Sequence, residues 1–82
     1  MIAEKSGTRV VLQCKLYSGP VGNGAVQEIV AGRARERAHY GAVVCKSRYT
    51  GPAEQLAAAN GILLLHYRNF PTLDAMVAEH AA

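Results

Sequence analysis

Gln13 and Lys15 are the residues of this sequence whose types and spacing could do chemistry. They stand at positions i and i+2 near the end of the segment 9–15, and a strand turns alternate side chains to the same face. In metal-dependent phosphodiester hydrolysis an acidic residue and a second oxygen ligand hold a divalent ion, while a lysine orients water and offsets developing charge. Gln13 and Lys15 could supply two of these three parts. Two ordinary polar residues at an exposed strand end would show the same spacing.

A β-hairpin is predicted to carry this polar pair. The segments 1–4 and 9–15 flank a polar connection of hairpin length that contains one glycine. Alternation along the second strand turns Leu12 and Cys14 toward the face opposite the polar pair. The glycine-rich segment 16–23 that follows predicts a surface loop. The pair is therefore expected at a strand end beside an open loop.

Helices and strands alternate in the rest of the chain. Apolar residues at helical spacing predict a helix over about residues 25–39, and the apolar run 42–45 predicts a strand covered on both faces. Thr50 is a suitable N-cap for a second helix, which Asn60-Gly61 ends, and the run 62–65 predicts another strand. A terminal amphipathic helix is predicted from Phe70, Leu73, Met76, Val77 and Ala81.

The predicted order ββαβαβα indicates one α/β domain over residues 1–82 with a mostly parallel sheet. A chain this short buries only about 60% of the surface that its unfolded form exposes, so a second subunit would stabilise it, and we expect a dimer. Half of the residues are hydrophobic and 18% are charged, which excludes a disordered chain. The net charge of +3 fits nucleic acid as a partner, and equally a merely soluble surface.

Composition and spacing also argue against several other classes of protein. Cys14 and Cys45 lie in apolar runs and no signal-peptide pattern is present, so we expect two buried, reduced thiols in a cytoplasmic protein. The histidines are too scattered for a structural zinc site. The apolar runs are too short to cross a bilayer, so no membrane insertion is expected.

A wider pattern of short segments runs through nearly the whole chain. These segments are Val11-Leu12-Gln13-Cys14-Lys15, Pro20-Val21-Gly22, Val26-Gln27-Glu28, Ala42-Val43-Val44, Ser47-Arg48-Tyr49-Thr50, Ala53-Glu54-Gln55-Leu56-Ala57 and Gly61-Ile62-Leu63-Leu64. In sequence and order they closely resemble the Mrr-like catalytic domains of type IV restriction enzymes, within the PD-(D/E)XK nuclease superfamily. The resemblance implies a restriction-endonuclease-like mixed sheet with helices on both faces, and a DNA endonuclease that uses Mg²⁺.

Carried over residue by residue, the resemblance implies a Gln-x-Lys active site. Gln13 would be a metal or water ligand through its side-chain oxygen, Cys14 a metal ligand through its backbone carbonyl only, and Lys15 the catalytic lysine. Gln27, on the flank of the first helix, would face the site as polar residues of this helix do in some related nucleases. An exposed helix-surface glutamine is the other interpretation of Gln27.

The sequence departs from the family pattern at its start. In related domains a metal-binding Asp stands immediately before the strand that reads here Met1-Ile2-Ala3-Glu4, and a helix precedes that Asp, so we expect this chain to lack both. Glu4 is a candidate substitute, but its place near the turn is typical of an exposed hairpin residue. Without a carboxylate the site would bind Mg²⁺ weakly. A catalytically silent module that dimerises and binds DNA or a protein partner therefore stays open as the alternative.

Contacts with double-stranded DNA are expected where the parallel strands end. Lys46, Ser47 and Arg48 follow the carboxyl end of a predicted strand, the edge at which α/β sheets usually bind ligands. Tyr49 could stack on a base, although an aromatic residue just before an N-cap commonly packs against the core. Three arginines of the first helix share it with two glutamates, so we expect a solvated and partly paired face from Arg33, Arg35 and Arg37.

Overall fold

A computed structural model of the chain describes residues 1–69, and residues 70–82 lie outside the described part. Four strands form one mixed sheet in the order β1 (Ile2–Lys5), β2 (Thr8–Lys15), β3 (Tyr40–Cys45) and β4 (Ile62–His66). β1 pairs with β2 in antiparallel fashion, and β2, β3 and β4 are parallel. The parallel strands are joined by α1 (Asn23–Arg35) and α2 (Gly51–Asn60), and a short 3₁₀ helix covers Tyr67–Asn69. The α/β class is as predicted.

The hairpin turn is tighter than the sequence predicted. Ser6 and Gly7 have φ values of 53° and 82°, so two residues in the left-handed region make the turn. Such two-residue turns match the twist of the flanking strands, and glycine adopts this region without strain. β1 therefore extends to Lys5 and β2 begins at Thr8. The register that results places Ile2 opposite Val11.

Both described helices pack on one face of the sheet. α1 connects β2 to β3 and α2 connects β3 to β4, so both connections move in the same direction across the sheet. Right-handed connections of this kind place their helices on the same side of the sheet. The core between the helices and the sheet is apolar and consists of Val11, Val21, Ala25, Val26, Ile29, Val43, Cys45, Ala53, Ala57 and Ile62. The predicted terminal helix, on which the expectation of helices on both faces depends, lies outside the described residues.

Helix α1 begins and ends earlier than the predicted residues 25–39. The chain leaves the helix at Arg37, whose φ of 53° is left-handed and whose N–H donates to the Ala34 carbonyl. The N–H of His39 then donates to the Arg9 carbonyl, and its Nδ1 accepts from the Arg9 N–H. These bonds to β2 start the next strand at Tyr40. Gly41 lies inside β3.

The ends of α2 are as the sequence predicted. The Thr50 hydroxyl accepts a hydrogen bond from the Ala53 N–H at 3.2 Å, and Gly61 ends the helix in the left-handed region with φ of 65°. Just before the cap, the Tyr49 hydroxyl lies 2.8 Å from the Val43 carbonyl oxygen and 2.6 Å from that of Leu65. Tyr49 thus fastens the start of α2 to the core, which agrees with the packing role and leaves no free hydroxyl for DNA.

Burial differs between the two cysteines. Cys45 is completely buried, as predicted, but Cys14 is only half-buried. The prediction of two buried thiols was therefore wrong for Cys14, because its side chain points to the sheet face opposite α1 and α2. Partial burial still raises the pKa of the Cys14 thiol above its usual value. No helix within residues 1–69 is long and apolar enough to span a membrane.

Two buried glycines allow a matched test of this packing. A methyl group at Gly41 would stand 3.1 Å from an Ile62 carbon and 3.3 Å from an Ile29 carbon, whereas one at Gly32 would meet nothing closer than 3.8 Å. We expect Gly41→Ala to lower the free energy of unfolding by about 1–3 kcal/mol through overpacking. Gly32→Ala should raise it by up to about 1 kcal/mol, because alanine favours a helix. Urea unfolding of both variants measures this, and equal effects would contradict the packing described.

Candidate active site

Gln13 and Lys15 face α1 and meet a carboxylate, that of Glu28. The Gln13 amide nitrogen donates a hydrogen bond to Glu28 Oε2, and Lys15 Nζ lies 3.2 Å from the same oxygen. The predicted pair therefore shares one face of β2, as strand alternation requires. It does not simply project into solvent, since both side chains converge on one acidic group.

Packing between α1 and β2 brings these three residues together. On β2, Val11 points to the same side as the polar pair and is buried in the core, which fixes the direction of that face. On α1, Ala25, Ile29 and Gly32 form the buried stripe. Glu28 lies three residues after Ala25 and four before Gly32, so its side chain leaves the helix at the margin of this stripe, next to β2.

The local charges keep Glu28 ionised. The hydrogen bond from Gln13, followed by the hydrogen bond and positive charge of Lys15, lowers the pKa of the Glu28 carboxyl below its usual value. Its side chain is 57% exposed, whereas that of Lys15 is only 24% exposed. A lowered pKa means that the contact stabilises the fold at neutral pH and loses this effect as the pH falls through the lowered value. At neutral pH the site thus presents an accessible negative oxygen.

Gln27, the predicted helix residue of the site, is exposed and does not line it. Its neighbour Glu28 occupies the position that faces β2. One residue along a helix turns the side chain by about 100°, so a shift of one position exchanges a surface residue for a site residue. The sequence did contain a signal for Glu28. It lies three residues after Ala25 and four before Gly32, and this spacing predicts a side chain at the margin of the apolar stripe.

The side-chain groups of Glu28 and Gln13 that could bind a metal are oxygens, which suit the hard divalent cation that the family resemblance implies. Glu28 offers a carboxylate, and a half-turn of the Gln13 amide would exchange its nitrogen for its oxygen at the same place. Residues 1–69 contain no group of three or more His, Cys, Asp or Glu side chains that could hold a metal ion. The described oxygen ligands therefore suit Mg²⁺ in type, but they make up only part of its coordination shell and carry one negative charge.

Backbone geometry sets the direction of the Cys14 carbonyl, the other predicted metal ligand. Leu12 both donates to and accepts from Met1 across the hairpin, at 2.7 and 3.0 Å. Backbone groups of successive strand residues point to opposite edges, so the groups of Cys14 point to the same edge as those of Leu12. Within the described residues β1 extends no further along that edge. The carbonyl is thus directed past the end of β1, and its role as a ligand stays a prediction.

A cleft of about 410 Å³ lies between β2 and α1, beside Gln13 and Glu28. Gln13 and Glu28 line one part of it, Val11 and Ile29 contribute apolar wall, and Arg35 lies at the other part. The cluster is therefore open to a ligand that enters between the strand and the helix.

The predicted DNA-contacting residues lie at the edge where the parallel strands end. Lys15, Cys45 and His66 are aligned across β2, β3 and β4, and Lys46 follows directly. Lys46 and Arg48 are exposed. This edge thus brings two exposed cationic side chains to the same end of the sheet as Lys15.

Ser47, between these two cations, is held by the protein itself. Its hydroxyl donates to the Gly19 carbonyl at 2.6 Å, and the Ser47 carbonyl oxygen lies 3.2 Å from His66 Nε2. Ser47 therefore ties the loop after β2 to this edge, and its hydroxyl is engaged.

Comparison with known proteins identifies the family. The model of the Mrr catalytic family, described as a restriction endonuclease, matches residues 1–73. A crystal structure of a protein of unknown function, AF1548, matches with a TM-score of 0.68 at 20% identity, over 87% of this chain and 41% of that one, which shows a shared fold. The chain thus spans less than half the length of AF1548, and a search of curated proteins gave no match. With the family model matched over most of its length, this chain belongs to the Mrr catalytic family of restriction endonuclease domains.

Proposed function

We propose that this chain is a metal-dependent DNA endonuclease domain whose active site consists of Gln13, Lys15 and Glu28. The convergence of the first two side chains on the Glu28 carboxylate, at the end of β2, carries the proposal. An ammonium group and a carboxylate within 3.2 Å of each other offer both charges that phosphodiester hydrolysis needs.

Each residue has a separate role in this mechanism. Glu28, the Gln13 side-chain oxygen and the Cys14 carbonyl would hold Mg²⁺, which supplies Lewis acidity toward the scissile phosphate when bound. Lys15 Nζ would contact the scissile phosphate and stabilise the charge that develops on it. Because the Lys15 side chain is only slightly exposed, its conformational freedom is already limited. Little further conformational entropy would be lost when it contacts the phosphate.

A second carboxylate would complete the site, and the hairpin register supports one position for it. Ile2 is opposite Val11 and Met1 exchanges hydrogen bonds with Leu12, so a residue directly before Met1 would stand opposite Gln13. Opposed residues of an antiparallel pair share a face. An Asp at that position, as in related domains, would therefore lie on the face of Gln13 and Glu28.

Double-stranded DNA is the proposed substrate. Lys46 and Arg48 are exposed at the carboxyl edge of the sheet, beside the end of β2 that carries Lys15. Positively charged side chains at this position would bind phosphates on either side of the scissile bond. Such contacts do not distinguish one base sequence from another. We further propose a cytoplasmic location, which fits the free thiols of Cys14 and Cys45.

Plasmid nicking tests this function. We expect the chain to relax supercoiled DNA slowly in Mg²⁺ or Mn²⁺ and not in EDTA, because only one carboxylate among the described residues serves the metal. Lys15→Ala should lose this activity, and Lys5→Ala, which removes an exposed lysine of the hairpin, should keep it. Equal nicking by the unchanged chain and Lys15→Ala would show that the catalytic role of Lys15 is wrong.

A silent dimeric module is the second candidate, and two observations favour it. The described site has a single carboxylate, and two large apolar side chains, Tyr40 and Leu63, are 51% and 48% exposed. Both point to the sheet face away from α1 and α2, because the neighbouring Gly41 and Ile62 face the helices. We expect a dimer in light scattering, and Leu63→Gln should shift it toward monomer. A stable monomer at micromolar concentration, or a dimer that Leu63→Gln leaves intact, would contradict this surface as the interface.

A further inference from the structure

Arg35 lines the cleft, and its ion pair among residues 1–69 is long and exposed. One terminal nitrogen of its guanidinium lies 3.8 Å from the point where a methyl group on Gly32 would stand, so the group reaches back over the cleft floor. Its side chain is 74% exposed, and the nearest acidic oxygen, on Glu36, is 4.0 Å away. An exposed ion pair at this distance contributes little free energy, so Arg35 can exchange it for a ligand.

Other arginines of the same region are committed to the fold. Arg9 contacts Glu4 at 3.3 Å and donates to the Glu36 carbonyl at 2.8 Å. Arg33 is half-buried, with a guanidinium nitrogen near Gly61. Among the described residues that line the cleft, Arg35 therefore carries the guanidinium that is available to a ligand.

We propose that Arg35 binds a backbone phosphate of the cleaved DNA strand inside the cleft between β2 and α1. This inference rests on the proposed nuclease function, because it takes the scissile phosphate to lie at Lys15. Glu28 and Arg35 are seven residues apart on α1, about 10 Å along the helix axis. At a rise of about 3.4 Å per nucleotide, this separation corresponds to a phosphate about three nucleotides from the cleaved bond.

The chemistry of the cleft favours a phosphate over other ligands. A guanidinium presents two parallel N–H donors that match two phosphate oxygens. The carboxylate of Glu28, at the other part of the cleft, would repel a phosphate there unless a cation is bound, so the anion site is expected at the Arg35 end.

Binding of a fluorescein-labelled DNA duplex, followed by anisotropy in EDTA, tests this inference without cleavage. We expect Arg35→Gln to weaken binding about 5- to 10-fold and to lower the slope of log affinity against log salt by about 1, as loss of one phosphate contact predicts. Arg37→Gln is the matched control, since it removes the same charge from an exposed residue that does not line the cleft, and should weaken binding less than about twofold. Arg35→Lys should restore most of the salt slope and only part of the affinity.

The outcomes separate this inference from the proposed function. Equal losses in Arg35→Gln and Arg37→Gln would overturn the phosphate site and leave the nuclease proposal standing, provided that Lys46→Gln still weakens binding. A chain that binds no DNA would overturn both. Thermal unfolding followed by circular dichroism should show unchanged stability for both glutamine variants, because both side chains are exposed.

Discussion

Glu28→Gln is expected to reduce metal-dependent DNA cleavage by about 100-fold or more, because it removes the one carboxylate that meets Gln13 and Lys15. Glutamine has the same size, so the packing of α1 on β2 should stay intact. A hard divalent cation prefers charged oxygens as ligands. The amide of the variant is neutral, so the described site would have no charged oxygen left. Isothermal titration with Mn²⁺ should therefore show weaker binding by the variant, and plasmid nicking should show the loss of rate.

Two neighbouring residues serve as controls for this substitution. Gln27→Ala changes the exposed residue beside Glu28 on the same helix, and Glu4→Gln removes a carboxylate that pairs with Arg9 near the hairpin turn. Both variants should keep the Mn²⁺ affinity and the nicking rate of the unchanged chain. If Gln27→Ala or Glu4→Gln loses activity while Glu28→Gln retains it, the assignment of the carboxylate is wrong.

An Asp placed directly before Met1, together with the helix that precedes it in related domains, is expected to raise metal-dependent cleavage by about 10- to 100-fold. The register of β1 and β2 would put this carboxylate opposite Gln13, on the face of Glu28. Two carboxylates would then share the cation, which raises its affinity and places it beside Lys15. Plasmid nicking at a series of Mg²⁺ concentrations should show a lower half-saturating concentration and a higher rate.

The matched control for this extension carries Asn in place of the added Asp. It has the same length and shape without the charge, so it should gain little. Lys15→Ala in the Asp-extended chain should abolish the gain, because the lysine stabilises charge on the phosphate and the metal alone does not replace it. Equal gains from Asp and Asn would show that the extension acts through folding and not through a metal ligand.

Much of the frame could be predicted from short-range patterns. Alternation in β2 correctly put Gln13 and Lys15 on one face, and Thr50 and Gly61 correctly bounded α2. These predictions succeeded because each depends on neighbours within a few residues. The end of α1 could not be predicted in the same way, because contacts between His39 and Arg9, thirty positions apart, turn the chain into β3.

The sequence by itself determined which residues share a face within each element and the order in which the elements follow. Only the tertiary structure decided which faces meet. Packing of α1 on β2 brought Glu28, and not Gln27, into contact with Gln13 and Lys15. It also placed Arg35 beside the cleft, although this side chain stays in the solvated face that the sequence predicted. It also left Cys14 half-buried, since the covered face is the other one. The physical reason is that periodicity fixes directions around an element's own axis, whereas burial between elements fixes the rotation of one against another.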